Sequence, residues 1–159
     1  MKTHEKIQQA VIKAACKREI KNKHMLYSYG FLQHPGSESD LVIVNELATA
    51  LYIVPRVYCF IDPLYVFKDQ TEINFAKILA GAKEADALEL TNKTYEIDNI
   101  VHRSFENKEG EEIHVDSKVL KTFLPTKEYT YMGTSKCNLV YVYDECQDLI
   151  GSICPIRYW

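Results

Sequence analysis

Apolar residues recur at helical spacing through the first part of the chain and then switch to alternation. Between residues 4 and 20, Ile7, Ala10, Val11, Ala14 and Ala15 fall on one helical stripe, and Thr3 stands where an N-cap belongs. At about 100° per residue, Lys2, Lys6, Gln9, Lys13 and Lys17 gather on a second stripe roughly 120° around from the first. The pattern predicts a helix that packs by one face and turns lysines outward on another.

Alternation then dominates. Met25 to Gln33 (MLYSYGFLQ), Asp40 to Asn45 (DLVIVN) and Leu47 to Val54 read as three strands of an antiparallel meander, the first two joined by the turn His34-Pro35-Gly36-Ser37. Pro55 interrupts, Val57 to Asp62 (VYCFID) predicts a further strand, and Pro63 is placed to start a helical turn through Leu64-Tyr65-Val66-Phe67. Ile73, Ala76, Ile78, Leu79 and Ala82 predict a second helix over residues 71–85, weakened by Gly81. Ala87 to Thr91 and Thr94 to Ile97 read as two short strands, followed by an irregular polar stretch to Glu111 and a strand from Glu112 to Asp116. Ser117 is placed to cap a short helix, Lys118 to Phe123, which Pro125 stops. Strands at Tyr129 to Met132, Asn138 to Asp144 and Leu149 to Pro155 close the chain. Phe60 to Val66 and His114 to Leu120 echo one another, each a strand ending in Asp before a helix-starting residue.

These elements make an α+β fold, antiparallel sheets with two or three helices packed on one side, and 159 residues without a linker fit a single domain, 1–159. No apolar run is long enough to span a bilayer, and the N-terminus has no apolar signal core, so neither membrane nor export is indicated. Cys16, Cys59, Cys137, Cys146 and Cys154 are odd in number with no C-x-x-C, as expected of reduced thiols in a cytoplasmic protein. The five histidines show no paired helical spacing, and neither metal nor cofactor is predicted. G-x-S-x-G, a phosphate-binding G-x-x-x-x-G-K and a local nucleophile–base pair are all absent, which argues against an enzyme. Asp62 and Asp116 would be paired carboxylates if the echoing units lay side by side; as residues at strand–helix junctions they are more simply caps.

Charge is uneven. Residues 1–23 hold seven basic side chains against Glu5 and Glu19, a net +5 that leaves −8 for the rest of a chain whose total is −3. Such asymmetry suits a local surface for a polyanion on an otherwise acidic body.

Three segments carry a family resemblance. The basic helix with MLYSYGFLQ, DLVIVN and ELATALYIV after it, the run Tyr95 to His102 leading into Glu112 to Leu120, and the tail Asp148 to Tyr158 together resemble the bacterial sliding clamp, the beta subunit of DNA polymerase III, in the short one-domain form that phages and mobile elements encode. The chain departs from that pattern at Asn45-Glu46, where the family has Asp-Gly, at Ile97, where it has Pro, and over residues 63–93, which have no counterpart.

The resemblance implies a non-enzymatic, clamp-like replication accessory. Lys6, Lys13, Lys17 and Lys21 would meet duplex DNA through phosphates, and Pro155, Ile156 and Arg157 would border a peptide groove, with Trp159 as lid or self-docked aromatic. It also implies a host replication or defence protein as partner, and self-association through sheet edges, in the first meander or at Asn138 to Asp144. The alternative is a phage-type accessory or inhibitor protein that binds a host protein through an acidic, tyrosine-rich surface and leaves DNA alone.

Overall fold

The computed structural model describes residues 6, 8–15, 31–34, 36–44, 50–55, 66–67, 75–123, 129–133 and 139–156, within two compact units, Met1–Ile78 and Leu79–Trp159. Both consist of short strands with few helices, an α+β composition in which strands within a unit pair antiparallel apart from one short contact.

In the first unit, helix α1 covers residues 8–15, with Lys6 also helical. Val11, Ile12 and Ala15 are buried, whereas Lys6, Ala10, Lys13 and Ala14 are exposed. The inward face is thus rotated from the expected stripe: Ile12 is inside, and Ala10 and Ala14 are out. A branched aliphatic side chain removes more apolar area from water than an alanine methyl, so the helix rolls to bury its larger residues.

Strands β1 (Phe31–Gln33), β2 (Asp40–Val44) and β3 (Ala50–Pro55) form the expected meander over the described residues, with Leu32 opposite Val42 and Val42 opposite Ile53; residues 25–30 and 45–49 of the expected strands lie outside them, and Pro55, expected to interrupt, ends β3 opposite Asp40. Leu41, Val42 and Ile43 are fully buried, so both faces of β2 are covered. Strand β4 (Val66–Phe67) pairs in parallel with β1, where a helical turn was expected; a β-branched and an aromatic residue suit the pleat that β1 offers. The strand expected at Val57 to Asp62, and with it Asp62, lies outside the described residues. Helix α2 (Phe75–Ala82) is the core of the second expected helix, and it unwinds through i+3 hydrogen bonds ending at Ala85.

The second unit contains β5 (Asp86–Ile97), β6 (Ile100–Glu106), β7 (Glu112–Asp116), α3 (Ser117–Leu120) with a 3-10 turn at Lys121–Phe123, β8 (Thr130–Gly133), β9 (Val140–Tyr143) and β10 (Leu149–Ile153). Its strands lie in the order β10-β9-β8-β5-β6-β7. The two short strands expected before Ile97 are one, β5, continuous through a bulge between Leu90 and Thr94. The stretch read as irregular is β6, entered by a two-residue turn at Asp98 (φ 51°) and Asn99 (φ 65°). Two consecutive left-handed residues give the turn whose twist matches its strands, and Asp and Asn tolerate that conformation. Polar residues hid this strand because two of them are buried: His102 and Ser104, the latter with its hydroxyl 2.6 Å from that of Thr91.

Asp116, not Ser117, caps α3, its carboxylate accepting from the Lys118 N–H at 2.8 Å. The cap reading of Asp116 therefore holds. Strand β9 lies between β8 and β10, so the segment offered as a free edge is interior.

The second unit's sheet curls. A flat six-stranded sheet would put β7 about 24 Å from β10, yet Ile156, three residues past β10, donates its N–H to the His114 carbonyl of β7 at 2.7 Å. Three extended residues reach only about 10 Å, so the two ends of the strand order must approach one another. Phe105 is fully buried in this unit, 4.9 Å from the Tyr131 ring, and the Tyr131 hydroxyl donates to the Phe123 carbonyl at 2.8 Å. Burial pushes the Tyr131 phenol up.

Candidate functional site

The basic face begins with what α1 buries. Val11, Ile12 and Ala15 fix the helix's inner side, and Lys6 and Lys13, seven residues apart, stand nearly opposite it, both exposed. Ala10 and Ala14 lie beside them, also exposed. Long cationic side chains on a helix anchored from behind can follow phosphates without reading bases. Lys17 and Lys21 lie outside the described residues.

At the other end of the chain, Pro155 and Ile156 are half-buried, and the Ile156 backbone is engaged with β7. Arg157 lies outside the described residues. A cavity of about 460 Å³ does open in this unit, lined by Leu88, Leu90, Tyr129, Tyr131 and Met132 with Glu89 as its charged residue, but neither Pro155 nor Ile156 lines it. It forms where β8 leaves β5: the two pair only from Asp86 to Leu88.

A third arrangement was not anticipated from sequence. Tyr95 on β5 stacks on His114 of β7, ring centroids 4.9 Å apart, and His114 meets the buried His102 ring edge-on at 6.0 Å. Glu112 joins them, accepting from Lys93 at 3.2 Å and from the Tyr95 hydroxyl at 3.1 Å, with His114 Nε2 at 3.3 Å. The Lys93 hydrogen bond is the largest influence holding the Glu112 carboxyl below the usual range; burial opposes it and the Tyr95 hydroxyl adds to it. The carboxylate is thus committed to its neighbours, and the cluster ties the base of the β5–β6 hairpin to β7.

Beyond that base the hairpin continues as two strands. Strand β7 accompanies β6 only over His102–Glu106, and β8 accompanies β5 only over Asp86–Leu88. At the tip Ile97 pairs with Ile100 and Glu96 with Val101. Ile97, Ile100 and Val101 are 39 %, 41 % and 44 % exposed, the large exposed hydrophobics among the described residues. The sequence signal for this hairpin was available: Asp98-Asn99, between two isoleucines, is a two-residue turn pair.

Among the described residues, no three His, Cys, Asp or Glu side chains gather as metal ligands, and no helix is long and apolar enough to cross a membrane. Cys146 and Cys154 are exposed. The chain matches no protein-family model, no curated protein and no solved structure.

Proposed function

We propose that this chain is a non-enzymatic, clamp-like module that associates with duplex DNA through α1, in a replication accessory role, encoded by a phage or mobile element and acting in the cytoplasm. The observation that carries the proposal is the exposure of Lys6 and Lys13 on a helix held from behind by Val11, Ile12 and Ala15. Element order supports the clamp-like part: α1 is followed by the meander β1-β2-β3, and α3 by the meander β8-β9-β10, so a helix followed by three antiparallel strands occurs once in each of the two units. Exposed lysines attract any phosphate backbone alike, which suits a protein that holds DNA without regard to sequence.

The test is duplex binding at low salt by the parent and by K6E/K13E. Neither position is buried, so the fold survives, as circular dichroism will show, and the variant loses its DNA affinity. Equal binding by both proteins, or by neither, removes the proposal.

A second reading, an accessory or inhibitor protein that binds a host replication or defence protein and not DNA, draws on the β5–β6 hairpin. Exposed aliphatic residues at the hairpin's turn suit a protein interface, and Glu96 and Asp98 beside them disfavour phosphate. Absence of DNA binding at low salt favours this reading.

A further inference from the structure

We propose that the cavity between β5 and β8 is a binding site for a small primary ammonium with an apolar body. The two strands make the cavity by separating. Their pairing runs from Asp86 opposite Gly133 to Leu88 opposite Tyr131 and stops there, and the space of about 460 Å³ opens where Glu89 would next face Thr130. Strand alternation sorts the lining into two tiers. Leu88, Leu90 and Tyr131 fall on one side of the sheet, where Leu88 and Tyr131 are buried, and with the buried Tyr129 they form an apolar floor. Glu89 and Thr130 fall on the other side, both exposed, and stand at the mouth with Gln147.

The floor suits a hydrocarbon chain, because the Tyr131 hydroxyl already donates to the Phe123 carbonyl and leaves the ring as apolar surface. At the mouth the acceptors are uncommitted: among the described residues, the side chains of Glu89, Thr130 and Gln147 make no hydrogen bond or ion pair. A primary ammonium carries three N–H donors and no acceptor, and a carboxylate, a hydroxyl and an amide carbonyl are acceptors for all three. Charge selects the sign of the ligand. Glu89 is the charged lining residue, Glu106 stands opposite it in the β5–β6 ladder, and Asp144, Glu145 and Asp148 share a turn with Gln147. That turn is fixed: the Asp144 carboxylate accepts the N–H groups of Cys146 and Asp148 at 2.9 and 3.0 Å, and Gln147 sits in the left-handed region (φ 62°). An anion at this mouth meets repulsion from every one of these carboxylates, whereas a cation is attracted by them.

The experiment is an NMR titration of the full chain, without DNA, with hexylammonium and its analogues hexanol and hexanoate, followed at the amides of residues 87–90 and 129–132. None of these residues lies on α1, so the outcome is independent of the DNA reading. Hexylammonium binds about threefold more tightly than hexanol, the scale of a partly exposed ion pair, and hexanoate binds most weakly. E89Q binds hexanol as the parent does and loses the preference for hexylammonium, and E89K reverses that preference in favour of hexanoate. Glu89 is exposed, so both variants keep the floor, and hexanol reports it. Absence of shifts at these amides with hexylammonium, equal affinity for the three probes, or a preference for hexylammonium that persists in E89Q and E89K overturns the proposal.

Discussion

Tyr95 lies stacked on His114 with ring planes inclined by 30°, and its hydroxyl continues to Glu112, so one side chain of β5 reaches across β6 to hold two residues of β7. Removing the ring releases the hairpin base. Y95A should lower the midpoint of denaturant unfolding and speed amide exchange over residues 94–101, because it removes both the stack on His114 and the hydrogen bond to Glu112. Y95F keeps the stack and should have a smaller effect. Acid acts on the same cluster. The Glu112 carboxyl is held below its ordinary value, chiefly by Lys93, so its contribution is present above the usual carboxylate range and is lost as pH falls through the lowered value. Exchange protection at the hairpin should therefore weaken in acid in the parent and lose that dependence in E112Q.

Gly133 should resist substitution by alanine. A Cβ there would stand 2.6 Å from the Leu88 Cδ1 and 3.1 Å from the Leu139 carbonyl oxygen. The leucine end can move but the carbonyl belongs to the backbone, so G133A should cost about 1–3 kcal/mol, as overpacked sites do. In denaturant unfolding G133A/L88A should cost less than the sum of the two single changes, since removing the buried leucine relieves the first contact while losing apolar packing of its own.

His34 supplies a second pH dependence. Its Nδ1 accepts the Gly36 N–H at 3.0 Å, which requires that nitrogen to be unprotonated, and burial lowers its affinity for a proton although Asp40 raises it. A lowered imidazole value means stability that is present above about 6.5, the ordinary value, and lost as pH falls through the folded one. The protection of the Gly36 amide relative to its intrinsic exchange rate should fall below neutrality in the parent, and the stability of H34A should change less with pH over that range.

The elements that sequence revealed were those whose partners are close along the chain. The meander β1-β2-β3 showed in short apolar, β-branched runs such as Leu41 to Val44 after the turn at Gly36, and the Asp116 cap in its place before a helix. Strand β6 was missed because His102 and Ser104 are polar residues buried by contacts from Thr91 and β7, which no local pattern records. The roll of α1 was missed for a related reason: periodicity counts alanine and isoleucine as equally apolar, whereas packing buries Ile12 and leaves Ala10 and Ala14 in water. Of the anticipated surfaces, Lys6 and Lys13 were legible as an outward stripe because exposure of lysine is the ordinary outcome. The hairpin cluster needed β5 and β7 brought together across β6, a distance in sequence that composition does not span.

The central claim is that α1 binds the phosphate backbone, and the measurement that reaches it most directly is the salt dependence of duplex binding. Each neutralised phosphate contributes about 0.9 to the slope of log K against log salt, so affinity should fall steeply as salt rises, and K6E/K13E should flatten the slope by about 2. Affinity indifferent to salt, or a slope unchanged in the variant, would contradict the claim.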